Sequence, residues 1–175
     1  MLLAQGDQAG LRQACSDLLG RFGNMTDPQT SNSVAWSCVL GPDSVADREA
    51  PVRLAEAALA GFPADEKSAA MNTLGAALYR AGRFEESIRC LEEGIQKRDG
   101  KSLPQDWVFL ALAQDQLGHR AEALRWLDRF RRYEANEKPN AFWNELEVRL
   151  LRREAEARIL FDPIFPSDPF ARAPL

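Results

Sequence analysis

The sequence predicts an all-α chain of stacked antiparallel helical hairpins, closed by a C-terminal capping helix and an extended tail. Three observations predict it. Leu110-Ala111, Gly118 and Ala123-Leu124 lie 36 residues after Leu74-Gly75, Gly82 and Ser87-Ile88, and one offset shared by three landmarks marks a repeat whose unit is a helix pair with its loop. Apolar residues recur at three- and four-residue spacing, with no sustained alternating run. Alanine, leucine, arginine and glutamate dominate while β-branched residues are scarce, which favours helix.

Taken in order, Leu2 to Gln5 reads as the remnant of a first helix and Gly6-Asp7 as the turn after it. Gln8 to Phe22 is amphipathic, with Leu11, Cys15, Leu18, Leu19 and Phe22 on one side. Asn32-Ser33-Val34-Ala35-Trp36 aligns with Asn72-Thr73-Leu74-Gly75-Ala76 at an offset of 40, and the surplus falls in the polar loop Gly41 to Ala50. Loops tolerate such insertions at small entropic cost. Ala58-Leu59, followed by Pro63, closes the partner helix.

The two best repeats run from Ser68 to Asp99 and from Pro104 to Ala135. In each, small residues (Gly75, Ala76, Ala111) stand where paired helices cross, since a larger side chain would force the axes apart. Gly82 and Gly118 end the first helices, where the backbone turns left-handed. Phe84, Ile88, Leu91 and Ile95, then Leu124, Leu127 and Phe130, stripe the second helices. Glu134 to Asn140, with Pro139, breaks the pattern, and Ala141 to Leu160 forms a cap with Trp143, Leu146, Leu150, Leu151 and Ile159 on its apolar face. The expected division is a repeat array over 1–135 with about three hairpins, a cap over 136–160, and a Pro/Phe-rich extended tail over 161–175. In that tail Phe161, Phe165 and Phe170 stand among Pro163, Pro166 and Pro169. They are expected to dock on this molecule or on a neighbour, which would allow self-association.

From about Gln5 to Arg132 the chain resembles a tetratricopeptide repeat (TPR) array. The segments Asn-x-Val-Ala-Trp, Thr-Leu-Gly-Ala-Ala-Leu-Tyr-Arg-Ala-Gly-Arg-Phe-Glu-Glu and Asp-Trp-Val-Phe-Leu-Ala-Leu-Ala-Gln-x-Gln-Leu-Gly-His are similar to TPR segments of large bacterial signalling proteins, where they follow kinase or β-propeller domains. Ser87 and Gly94 depart from the usual small alanines, and Asp99 from the usual closing proline. The resemblance implies a right-handed superhelix whose first helices line a concave groove. It places Asn32, Trp36, Val39, Asn72, Ala76, Tyr79, Arg80, Val108, Leu112 and Asp115 on or near that groove. Tyr79 and Arg80 stand out among these, because Met71, Leu74, Ala77 and Leu78 already supply the core stripe of their helix. The lysine and arginine of the chaperone-binding TPR class are missing, so a C-terminal carboxylate clamp of that kind is not expected.

A search for chemistry is negative. His119, the only histidine, follows Gly118 in a turn, which leaves a His-based metal site or a Ser-His-Asp arrangement without partners. Cys15, Cys38 and Cys90 fall singly on predicted helices and make neither a zinc motif nor a disulfide framework. No Gly-x-x-x-x-Gly-Lys-Ser/Thr, His-Arg-Asp or Asp-Phe-Gly motif occurs. Net charge is −4, and the arginines from Arg125 to Arg158 interleave with acids, so the run reads as a salt-bridged surface rather than a phosphate-tracking stripe. The start of the chain carries neither a basic region nor a long apolar run, which predicts a cytoplasmic protein. The expectation is therefore a non-enzymatic adaptor, without cofactor or metal, that binds a protein or peptide and neither nucleic acid nor membrane. The alternative is a regulatory segment of a bacterial serine/threonine kinase whose catalytic domain lies elsewhere.

Overall fold

The computed structural model describes residues 6–64, 66–100, 102–136 and 142–160; of 69, 134–136 and 142–145 it describes the backbone only. These residues form α1 (Gln8–Phe22), α2 (Pro28–Val39), α3 (Glu49–Gly61), α4 (Lys67–Ala81), α5 (Phe84–Lys97), α6 (Pro104–Gln116), α7 (Arg120–Asn136) and α8 (Phe142–Ile159), with no strand among them. The all-α expectation holds. The expected helix remnant Leu2 to Gln5, the side chain of Trp143, and the tail from Phe161 with its docking lie outside the described residues.

Local chemistry sets where the helices begin and end. Asp7 caps α1 by accepting the Gly10 amide at 2.8 Å, and Asp27 caps α2 by accepting the Thr30 amide at 2.8 Å, with Pro28 at the first helical position. Gly82 and Gly118 follow α4 and α6 with φ of 85° and 77°, the left-handed conformation that glycine enters without steric cost. Asp99 also has a positive φ, 54°, which proline's ring forbids; this accounts for the departure from the closing proline. The polar loop between α2 and α3 is tied to α1, whose Gln8 and Arg12 side chains donate to the carbonyls of Pro42 (2.6 Å) and Asp43 (3.0 Å).

Each helix packs on the next, and α2, α4, α6 and α8 also pack in sequence as a row. The α4–α5 pairing is antiparallel. Ser87, Cys90 and Arg98 of α5 and its C-cap donate to the carbonyls of Gly75, Met71 and Ser68 in reverse order along α4. Gly75 sets the approach, because a Cβ there would lie 2.4 Å from Leu91 Cγ. The serine at 87 turns a usual alanine position into a cross-helix hydrogen bond of 2.7 Å to Gly75, fully buried. At the other departure, Gly94, an added Cβ would stand 3.1 Å from Met71 Cβ.

One apolar core runs from Leu11 to Ile159, its largest fully buried members being Phe109, Phe130, Leu91, Leu110, Leu112, Leu127, Leu151 and Ile159. Between α4 and α6 it contains a charge. The Asp106 carboxylate accepts from Asn72 Nδ2 at 2.7 Å and the Leu103 amide at 2.7 Å, and pairs with Arg98. Burial pushes this carboxyl above its ordinary range, against the pull of those donors. No described helix is long and apolar enough to cross a membrane.

Candidate functional site

The candidate site is the face lined by α2, α4 and α6, and α8 is seated on it. A helix simply next in the row would touch α6 and α7; α8 also reaches back to α4 and α2. The Arg80 guanidinium of α4 grips Glu154 of α8 with both terminal nitrogens, the NH2 contact being 2.7 Å. Glu147 of α8 lies beside the Trp36 side chain of α2. Asp115 of α6 faces Arg158 at 3.7 Å, and Arg131 of α7 pairs with Glu156 at 2.8 Å. Val148, Leu151, Ala155 and Ile159 bury the apolar edge of α8 in the common core.

Arg80 is the best-held of these side chains. Its Nε donates to the Val39 carbonyl at 2.8 Å and NH2 reaches the Leu40 carbonyl at 3.5 Å, so the cation sits at the C-terminal end of α2, where the helix dipole favours it. The guanidinium lies 5.3 Å from the Tyr79 ring centroid and 5.5 Å from that of Phe109. Beneath it is an aromatic floor. Phe109 meets Tyr79 at 5.7 Å and Trp36, edge-on, at 6.3 Å, while Tyr79 also meets Phe84 at 5.8 Å. Beside the Arg80–Glu154 pair a cavity of about 240 Å³ opens among Pro42, Arg48, Phe84, Gln116 and Arg158.

The ten candidate residues fare differently, Val39 being fully buried at the end of α2. Trp36, Arg80 and Asp115 are brought together by α8, Trp36 beside Glu147 and the other two through ion pairs with it. Ala76, Val108 and Leu112 are fully buried, and Asn72 is spent on Asp106. Asn32, one turn before Trp36, is half-buried, and its Oδ1 has no hydrogen-bond partner among the described residues. Tyr79 requires a correction. It stands apart from the core stripe in the sequence, yet it is 6% exposed and wedged between Phe84 and Phe109, because Phe109 of α6 covers its ring.

Burial raises the Tyr79 hydroxyl above its usual pKa, helped by the negative charge of Glu154. Burial likewise raises Glu147, opposed by the neighbouring Trp36 side chain. The sequence reading passed over Phe109, Glu147 and Glu154. The spacing of the two glutamates, seven residues on one helix, was the available signal. Also unforeseen was the meeting of two cysteines: Cys15 of α1 and Cys38 of α2 lie close together, and the neighbouring thiol together with burial holds the Cys38 thiol above its ordinary range. Among the described residues no group of histidine, cysteine or carboxylate side chains is arranged to hold a metal.

Comparison with protein-family models, with curated proteins and with solved structures finds no match.

Proposed function

We propose that this chain is a non-enzymatic protein-interaction module of TPR-like hairpins wound in a right-handed superhelix, and that the face of α2, α4 and α6 takes up a peptide or partner helix. Several features support the repeat reading. Helices pack in sequence and the even-numbered ones form a row. Gly82 and Gly118 turn left-handed at equivalent places. Two cross-repeat contacts, Asn72 with Asp106 and Glu49 with Arg83, each join residues 34 apart, the length of one TPR unit.

The observation that carries the function is the seating of α8. The face already holds a helix through one buried guanidinium and an apolar strip, the mixture with which grooves take up amphipathic helices. The arginines of the C-terminal third support a protein partner over nucleic acid, since Arg125, Arg131, Arg132 and Arg158 each pair with an acid. The free thiols Cys15, Cys38 and Cys90 suit a cytoplasmic setting.

Selection of helical peptides from a displayed library against the chain carrying Glu154→Gln tests this reading. Binders should perturb the amide resonances of Trp36, Arg80 and Asp115 and weaken about tenfold or more on Trp36→Ala. Binders that map to α3, α5 or α7, or no binders at all, would contradict it.

A further inference from the structure

We propose that α8 is a built-in stand-in for the partner, and that the helix this face accepts in trans is an amphipathic one presenting a carboxylate to Arg80 beside an apolar stripe. The inference rests on the peptide-binding reading above and specifies the chemistry of the ligand.

The receptor for that carboxylate is assembled without α8. Arg80 is oriented by the α2 carbonyls of Val39 and by its C-cap, Leu40, and by the rings of Tyr79 and Phe109, all of which belong to the array. Those contacts leave the two-pronged edge of the guanidinium pointing where α8 lies, and a planar fork of this kind is matched by a carboxylate rather than by a neutral acceptor. Glu154 supplies it, and the pair is largely shielded, with the arginine side chain 10% and the glutamate 18% exposed. Glu147 lies beside the Trp36 indole, which Phe109 meets edge-on at 6.3 Å.

Glu147 and Glu154 are seven residues apart, so on one helix they stand on the same face about 10.5 Å apart along the axis. Val148, Leu151 and Ala155, buried in the core, fill the strip beside them. A ligand must therefore match a stripe, not merely carry negative charge. Asp115 discourages a further carboxylate at the far end, where α8 instead places Arg158. The pattern for the partner is thus apolar, apolar, acid, apolar and then base, as in Val148, Leu151, Glu154, Ala155 and Arg158.

Tethering gives α8 an effective concentration on the order of millimolar, so a free helix with the same contacts competes poorly until the grip of α8 is loosened. The test uses the full chain and, as probe, a fluorescein-labelled peptide of residues 142–160. The chain with Glu154→Arg, whose α8 is repelled by Arg80, should bind the peptide about tenfold or more tighter than wild type does. The double variant Arg80→Glu with Glu154→Arg, which restores the internal pair with reversed charge, should lose that binding. Arg80→Glu alone should reject the peptide but accept one carrying Arg at 154. Glu154→Gln, a milder release, should fall between wild type and Glu154→Arg and keeps the test valid should Glu154→Arg melt early. Peptide binding that ignores the charge at position 80, or that is absent from both released chains, overturns the proposal. If library-selected peptides still map to Trp36 and Asp115 in that case, only this inference falls. If nothing binds the face, the peptide-binding reading falls with it.

Discussion

The α4–α5 hairpin and the seat of α8 hold two helices together by opposite means. Between α4 and α5 the contact depends on an atom that is not there: Gly75 lets Leu91 approach, and Ser87 places its hydroxyl on the Gly75 carbonyl in a fully buried position. Between α8 and the face of α2, α4 and α6, an apolar edge of Val148, Leu151, Ala155 and Ile159 is joined by the ionic pairs Arg80 with Glu154 and Asp115 with Arg158. The first contact is closed by shape. The second adds ionic groups that water or another carboxylate can also satisfy, so α8 is expected to open before α4 to α7 do.

The largest expected effect lies inside the array. Asp106→Ala removes the acceptor of the Asn72 amide and the Leu103 N–H and the carboxylate paired with Arg98, and should lower unfolding free energy by about 3 to 5 kcal/mol in urea titration. An effect under about 1 kcal/mol would mean that those donors find other partners. Next, Tyr79→Ala should cost about 3 kcal/mol, because it opens a hole between Phe84 and Phe109. Gly75→Ala should cost about 1 to 3 kcal/mol by forcing Leu91 off the helix crossing, and should destabilise α4 through α7 together.

At the seat of α8 the effects should be smaller and local. Glu154→Gln should accelerate amide exchange in α8 while leaving α4 to α7 close to wild type. The smallest is a pH effect. Because burial raises Glu147 in the folded chain, the folded state holds that proton at a higher pH than the unfolded state does. Its contribution to stability is therefore full below the unfolded pKa and lost as pH rises through the folded one. Glu147→Gln should flatten that part of the α8 pH profile, which exchange measured from acid to neutral pH will show.

Much of the array was legible because its determinants are local. The 36-residue offset, the glycines at 82 and 118 and the small residue at 75 each answer to a nearby steric demand that leaves a mark in the sequence. The inserted loop before α3 was legible for the same reason. Tyr79 was misread because helix periodicity assigns only the stripe facing the partner helix, whereas the covering of its ring comes from Phe109 on another helix. Arg80 was expected on the groove, but its partner Glu154 is 74 residues away, and no spacing within a helix announces such a contact. Glu147 and Glu154 were hidden among the many acids of α8, which look like an ordinary solvated face until something faces them.

The central claim, that α8 is held by the array rather than being part of it, is tested most directly by native-state hydrogen exchange on the intact chain under increasing urea. The account predicts that α8 amides exchange through an opening of lower free energy and smaller denaturant dependence than the common opening of α4 to α7, and that Arg80→Glu lowers the α8 value selectively. A single shared opening free energy for α4 to α8, moved equally by Arg80→Glu, would contradict it.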